Sequence, residues 1–317
     1  MPIAKPTARA IERAAGQLAK GRLVAFATET VYGLGAAADN ALAVRRLYAA
    51  KGRPRFNPLI AHVADIAGAK RLVRFDARAE ILARLFWPGP LTLVLPRLPG
   101  ASVCRVAAAG LDTLGVRIPD HPIAQRLLRK FGGAIVAPSA NRSGRLSPTD
   151  ANAVERALGA RAATILDGGA CRVGLESTIL DLSVSPARLL REGGIVRAAI
   201  EAAIGKLDAA GTTIKAPGML ASHYAPRAHL RLNAAAPRPG EAYLGFGKLP
   251  KLAPDIPALT LSATGDLAEA AHNLFASLQT LDRPTIRTIA VAPVPAMGLG
   301  AAIADRLARA AAPRGRQ

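Results

Sequence analysis

The sequence predicts an α/β fold in two units, and three observations carry that prediction. From about residue 7 to residue 204, short apolar runs of strand character alternate with segments of helical period. A second, shorter alternation of the same kind follows residue 229. Between the two, residues 208–228 carry Gly, Thr, Pro and His with no sustained period, as a linker does. A chain of 317 residues exceeds the usual size of one domain, which agrees with this division into 1–207, 208–228 and 229–317. Half the residues are hydrophobic but only 4% are aromatic, so alanine and small aliphatic side chains do most of the packing.

Taken in order, residues 7–20 set Ala, Ile and Leu against Arg and Lys at helical spacing. The strand 22–27 runs into Thr28-Glu29-Thr30-Val31-Tyr32-Gly33-Leu34-Gly35, read as a polar turn whose glycines let backbone approach a ligand. Asn40 is the expected N-cap of a helix over 41–50, and Gly52 its stop. A strand over 59–63 follows, then a helix capped by Asp65, and another over 77–86 that Trp87-Pro88-Gly89-Pro90 ends. Strands are expected over 91–95 and 113–119, the second placing Thr113 and Arg117 on one face. Asp120 is read as the cap of a helix reaching Lys130, 134–137 as a buried strand, and Thr149 as the cap of a helix to Leu158. Strands over 163–166, 177–182 and 187–190, with no helix between the last two, predict a mixed sheet; a helix over 195–204 closes the first unit. The second unit reads as strands over 229–232, 241–245, 258–261 and 288–291, with helices over 267–280 and 300–311.

The formal charge of +20 points to anionic partners, namely nucleotides, nucleic acid or an acidic membrane surface. Arginine and alanine are both abundant, which a GC-rich genome also produces, so charge alone does not select nucleic acid. Cys104 and Cys171 stand apart from any CxxC or Cys/His ligand spacing, which argues against structural zinc and suits a reducing compartment. With no apolar leader region and no apolar run long enough for a membrane span, the expectation is a soluble, cytoplasmic protein.

No P-loop, GxGxxG, HExxH or GxSxG motif stands in its required context, and no Ser-His-Asp or Cys-His order emerges. Polar clusters at strand ends take their place. Lys51-Gly52-Arg53-Pro54-Arg55-Phe56-Asn57-Pro58 is a proline-stiffened cationic loop at the mouth of a strand, suited to phosphate oxygens. His62 sits within that strand, where a satisfied core histidine is the ordinary outcome. Arg117, inside an apolar strand, either pairs with an acid such as Asp112 or Asp120 or holds an anionic ligand, because a lone buried guanidinium is costly. Ser139, Asn141, Ser143 and Ser147 form another cluster, and Glu176, Ser177 and Thr178 with Arg191 a further one. Cations and hydroxyls without an evident nucleophile suit a reaction driven by positioning and charge stabilisation, as adenylyl transfer is.

Read together, Thr28 to Gly35, Lys51-Gly52-Arg53-Pro54 with Asn57-Pro58-Leu59-Ile60-Ala61-His62, Trp87-Pro88-Gly89-Pro90-Leu91-Thr92, Pro138-Ser139-Ala140-Asn141 and Glu176-Ser177-Thr178 resemble the YrdC-like family, the threonylcarbamoyl-AMP synthases. The likeness covers about residues 10–205 with its motifs in order. Pro217-Gly218-Met219 and His223-Tyr224-Ala225-Pro226, with an α/β unit behind them, resemble the long two-domain form. The resemblance implies a YrdC-like twisted mixed sheet with flanking helices and a smaller Rossmann-like C-terminal domain. It also implies a reaction of L-threonine, bicarbonate and ATP that gives threonylcarbamoyl-AMP and pyrophosphate for threonylcarbamoyladenosine in tRNA.

By motif position, the threonine pocket would use Thr30, His62, Arg117, the backbone at Ala137, and Ser177. ATP would meet Lys51, Arg53, Asn57, Thr113, Ser139, Asn141, Ser147 and Arg191, with Tyr224 reaching over the nucleotide from the linker. Lys51, Arg53, Ser139 and Asn141 would be the residues closest to the chemistry, and Arg55 a solvated neighbour. Magnesium would arrive with ATP, without a side-chain cage of its own. A downstream transferase would take the adenylate, and whether tRNA itself is touched stays open. The chain departs from the family pattern at Ala27 and Glu192, where proline is usual, and at Leu220-Ala221-Ser222, where basic or aromatic residues are common. Two other readings are a double-stranded RNA or ribosome-binding module without catalysis and a carbamoyl-transfer domain of the hydrogenase-maturation type. The absence of cysteine-rich zinc modules argues against the second.

Overall fold

The computed structural model describes residues 3–209, 211, 216–217 and 223–313. The first unit begins with β1 (Ile3–Ala4), α1 (Ala8–Ala19), β2 (Val24–Phe26), β3 (Gly33–Ala37), α2 (Ala41–Lys51) and β4 (Ile60–His62). It continues through α3 (Ile66–Lys70), α4 (Ala77–Phe86), β5 (Leu91–Pro96), β6 (Thr113–Arg117), α5 (Pro122–Phe131) and β7 (Ile135–Val136). It ends with α6 (Ala151–Leu158), β8 (Thr164–Leu166), β9 (Thr178–Asp181), β10 (Arg188–Arg191), α7 (Arg197–Ile204) and β11 (Asp208–Ala209). These eleven strands make one sheet in the order β1-β8-β2-β3-β7-β4-β6-β5-β9-β10-β11, mixed as expected, with parallel pairs such as β4–β6 beside antiparallel ones such as β5–β6.

Alternation along the strands sorts side chains onto two faces. Ala25, Ala61, Val116, Val136, Leu93 and Leu180 point into the larger core, under α2, α4 and α6. Val24, Phe26, Ile135 and Leu166 point the other way, where α1 and α5 cover them. Helix α1 presents Ala10, Ile11, Ala14, Ala15 and Leu18 on one stripe, and the side chain of its N-cap Thr7 accepts from the Ala10 amide. The helical layer on this second face stops there. Farther across, Ile60, Val94, Ile179 and Leu190 form a small apolar cluster on the same face, against Ala216 of the linker. This half-face, bare of helices, carries the candidate site.

The second unit is a four-stranded parallel sheet, β12 (His229–Arg231), β13 (Ala242–Gly245), β14 (Ala258–Thr260) and β15 (Thr288–Val291), in the order β12-β15-β13-β14. Helices α8 (Leu267–Leu281) and α9 (Leu299–Ala311) pack with it. Its core does not close on itself, because Val31, Leu146 and Leu175 of the first unit belong to the same buried cluster. Gln279 donates to the Ser147 carbonyl at 3.0 Å and the Ala225 amide to the Gly144 carbonyl at 2.8 Å, so α8 and the linker rest on the loops that follow β7.

The structure corrects four expectations. Gly33–Ala37 is a strand rather than the tail of a turn, because pairing with β2 and β7 on both sides outweighs the weak strand preference of Gly and Ala. The cap of α5 is His121, since Arg172 takes the Asp120 carboxylate at 2.7 Å and Pro122 opens the helix. Asp150, not Thr149, caps α6, accepting from the Ala153 amide at 2.7 Å. Asp208 and Ala209, read as linker, pair in parallel with Arg188 and Leu189. The departure Leu220-Ala221-Ser222, and Gly218 and Met219 with it, lie outside the described residues.

Leu175 is fully buried in the cluster that the two units share. Replacing it with alanine is expected to cost about 2–5 kcal/mol, read as a lowered midpoint in urea denaturation.

Candidate active site

The site grows from the register of two parallel strands. His62 on β4 and Arg117 on β6 are direct partners, so both side chains stand on the half-face that the helices leave bare. Ile60 lies on the same side of β4, and Gly115 beside it adds no side chain. Arg117 is fixed by Glu29, whose carboxylate accepts at 2.6 Å from one terminal nitrogen, and by the Gly89 carbonyl at 3.3 Å. Glu29 also accepts from the Asp120 amide at 3.0 Å. The acid that Arg117 meets is therefore neither Asp112 nor Asp120. Its partner comes from a turn 88 positions earlier, brought next to β6 by the sheet.

Around this pair the chain encloses a cavity of about 40 Å³. Of the residues expected from sequence, Thr30, Arg53, His62, Arg117, Ala137, Ser139, Ser177, Arg191 and Tyr224 line it. Val31, Ile60, Pro138, Glu176, Pro217 and His223 complete the lining. Thr30 is held by a hydroxyl contact of 2.8 Å with Thr28, whose own hydroxyl donates to the Val31 carbonyl. Ser177 shares a 2.8 Å hydroxyl contact with Thr92, and Arg191 donates to both its carbonyl and its hydroxyl. Gly193 has no room for a Cβ, which would fall 2.4 Å from the Glu176 carbonyl oxygen; the turn after β10 packs directly on that backbone.

Four expected residues stand behind the lining. Lys51, buried at the end of α2, donates its ammonium to the carbonyl oxygens of Ser139 and Asn141 and braces that loop from beneath. Asn57 accepts at 2.6 Å from Arg53, which also donates to the Asn57 and Pro58 carbonyls. Asn141 ties its loop by donating to the carbonyls of Arg142 and Arg145. Ser147 donates to Glu176 at 2.6 Å. Thr113 is not gathered with the rest: it lies on the same face at the other end of β6, roughly 13 Å from Arg117 at a strand's rise per residue. Arg55 is exposed, as its solvated reading expects.

Burial sets the electrostatics. Lys51 is held well below its ordinary value, first by desolvation and then by the charge of Arg53. Arg53 is lowered to about 10, and Arg191 is lowered as well, both chiefly by burial. The three donate to neutral carbonyl, amide and hydroxyl oxygens. Burial, reinforced by Arg117, brings His62 down to about 3, so its imidazole is neutral near pH 7. Several buried polar atoms here lack a hydrogen-bond partner among the described residues: His62 Nδ1, Asn57 Nδ2, Asn141 Oδ1, His223 Nδ1 and the Tyr224 hydroxyl. Each such atom costs about 1–3 kcal/mol, so a polar ligand has much to gain here.

Sequence reasoning missed Arg306. This arginine of α9 is buried and reaches into the first unit, where it pairs with Glu176 at 2.8 Å. The signal was present: Ala302, Ile303, Arg306, Leu307 and Ala310 repeat at helical spacing, which puts a charge on an apolar stripe.

A pocket lined by Arg53, Arg117 and Arg191 on the half-face that the helices of a mixed α/β sheet leave bare marks the candidate site of an enzyme-like α/β protein, and comparison with known proteins names the family. A family model described as "Telomere recombination" matches residues 16–193, and one described as "Threonylcarbamoyl-AMP synthase, C-terminal domain" matches residues 195–312. The threonylcarbamoyl-AMP synthase of Pyrococcus abyssi is 42% identical over 320 residues, covering 95% of this chain and 93% of the relative. That of Bacillus subtilis is 41% identical over 324 residues, covering 96% and 93%. The crystal structure of P. abyssi Sua5 complexed with L-threonine superposes with a TM-score of 0.88 at 41% identity, covering 95% of this chain and 94% of that one. E. coli YciO, at 24% identity and a TM-score of 0.53 over 58% of this chain, shares the fold. The chain belongs to the threonylcarbamoyl-AMP synthase family.

Glu29→Gln strips the buried Arg117 of its counter-charge and is expected to destabilise the fold by about 3–5 kcal/mol in urea at pH 7. His62 and His223 both titrate near 3 when folded against 6.5 ordinarily. The unfolded chain therefore takes up protons first, and stability falls as pH drops from about 6.5 toward 3, by up to about 1.4 kcal/mol per pH unit per histidine. His62→Gln should make that acid slope shallower in a series of melts, and an unchanged slope would count against a neutral buried imidazole.

Proposed function

We propose that the chain condenses L-threonine, bicarbonate and ATP into threonylcarbamoyl-AMP and pyrophosphate, releasing water, as the first stage of threonylcarbamoyladenosine formation on tRNA. The observation that carries this reading is a group of buried basic side chains, Lys51, Arg53 and Arg191, hydrogen-bonded only to neutral oxygens among the described residues, around a pocket where Glu176 is shared by Arg191 and Arg306. Burying more positive charge than counter-charge is expensive, and a triphosphate would supply further anion. An enclosed pocket of this kind favours a small polyanion over the open face that a bound RNA duplex needs, which places the RNA-binding module second.

In this reading the threonine amine takes up carbon dioxide to form a carbamate, and a carbamate oxygen attacks the α-phosphorus of ATP. The bond to the leaving pyrophosphate breaks as the new one forms. Arg117, held rigid by Glu29 and Gly89, meets the threonine carboxylate; neutral His62, Thr30, Ser177 and the Ala137 backbone shape the rest of that subsite. Arg53, Arg191 and Ser139 face the phosphates, Lys51, Asn57, Asn141 and Ser147 hold those groups in place, and Thr113 meets the far end of the nucleotide along β6. The chain supplies position and charge, with no covalent intermediate on the protein.

Magnesium suits this donor set as a companion of the phosphates. The one carboxylate that lines the cavity among the described residues, Glu176, already accepts from Ser147 and Arg306, and the ion would neutralise charge on the departing pyrophosphate. The reaction would belong in the cytoplasm; no helix among the described residues is long and apolar enough to cross a membrane.

A cavity of about 40 Å³ is far smaller than the roughly 300–1,000 Å³ of ordinary ligand sites. Substrate entry therefore requires the covering segment, Pro217, His223 and Tyr224, to withdraw. Tyr224 holds the left-handed backbone conformation at φ 62°, a strained state for a bulky residue and one that a loop can release on opening.

The test is pyrophosphate release by the purified chain with ATP, magnesium and bicarbonate, with and without threonine. Threonine-dependent release is expected, and release indifferent to threonine would sink the reading. Arg53→Ala should lower kcat/KM by about 10- to 150-fold, the loss of a charge-assisted hydrogen bond of about 1.5–3 kcal/mol.

A further inference from the structure

Arg306 lies far from the motifs of the first unit, yet its guanidinium touches both flanks of the pocket. It donates at 2.8 Å to the Glu176 carboxylate, and Glu176 directly precedes Ser177. It donates at 2.8 Å to the carbonyl of Glu192, which directly follows Arg191. Its carbon centre stands 5.1 Å from the ring centroid of Tyr224, part of the cover. Asp305, its neighbour on α9, takes the remaining nitrogen at 2.7 Å. One side chain thus holds the neighbours of two pocket residues and the underside of the cover. A leucine would fill the same apolar stripe without the expense of a buried charge, so the guanidinium is there for these contacts.

We infer that Arg306 is a positioning residue for nucleotide binding, locking Glu176, Glu192 and Tyr224 together so that Ser177, Arg191 and the cover meet the triphosphate in one geometry. The second unit then buttresses the active site from behind its lining and is not a tether's cargo. The inference rests on the ATP-dependent reading above.

The groups facing Glu176 come from separate elements: Arg306 from α9, Arg191 from β10 and the His223 imidazole from the linker, with Asp305 and Tyr224 beside Arg306 and the Ser147 hydroxyl opposite. Burial raises the Glu176 carboxyl, but Arg306, Arg191 and the Ser147 hydrogen bond outweigh it and bring it down to about 2. Loss of Arg306 removes the first of these cations, so Glu176 would protonate at a higher pH, lose its charge-assisted hold on Ser147 and loosen the pocket on its acid side.

The experiment measures the Kd of a non-hydrolysable ATP analogue by calorimetry against pH on the full chain, alongside threonine-dependent turnover. Arg306→Met is expected to weaken the analogue at least tenfold and to move the acidic limb of binding to higher pH. Arg306→Lys should restore most of the affinity and return the limb toward its original place. Glu176→Gln should remove the limb, and Arg306→Met combined with Glu176→Gln should bind no worse than Arg306→Met alone. The inference is overturned if Arg306→Met binds the analogue as the native chain does. It is equally overturned if that variant only melts earlier, with affinity and pH limb unmoved. Should Arg306→Met not fold, the other two singles decide: native-like affinity and limb in Glu176→Gln reject the inference, while a lost limb there with a kept one in Arg306→Lys upholds it. Because Kd is read without turnover, a native chain that binds the analogue but releases no threonine-dependent pyrophosphate defeats the catalytic reading alone.

Discussion

Everything around the pocket follows from the burial of cations that have no carboxylate of their own. Lys51, Arg53 and Arg191 are taken out of water and, among the described residues, hydrogen-bonded only to neutral oxygens, with Glu176 a partial counter-charge near Arg191. The loops that supply those oxygens must be rigid, and each is tied down: residues 139–141 by Lys51, 57–58 by Arg53, and Ser177 by Arg191 and Thr92. The cations and the loops therefore stabilise one another.

Two further arginines serve the opposite purpose. Arg117 and Arg306 each have a buried carboxylate partner, Glu29 and Glu176, and each pair joins segments distant in sequence. These pairs act as fasteners between the first turn and β6, and between α9 and the start of β9. The charges of the pocket thus divide into two kinds. Paired ones join distant segments, and of the rest Arg53 and Arg191 line the cavity while Lys51 braces a loop behind it.

Much of this was legible in the sequence. The strand and helix order, the mixed sheet and most of the lining could be read, because glycines, prolines and hydroxyl residues cluster where strands end. The partner of Arg117 could not: nearness in sequence favoured Asp112 or Asp120, whereas sheet topology brings Glu29 alongside. Strand β3 escaped because Gly and Ala have little strand preference and pairing on both sides decides the matter. Thr113 was placed on the correct face, but alternation says nothing about distance along a strand. Arg306 was overlooked because motifs direct attention to the first unit, although its place on an apolar stripe marked it.

The helical layer over one face of the large sheet ends with α1 and α5, and Ala216 of the linker packs on part of what they leave. Ile60, Val94, Ile179 and Leu190 lie on that remainder, against Ala216. In the proposed reading the cover withdraws for substrate to enter, and water would then reach this apolar surface at about 25 cal/mol for every Å² exposed. Closure would thereby draw on the same force that folds the chain. That force weakens on cooling, so the proposed opening would respond to temperature as well as to substrate.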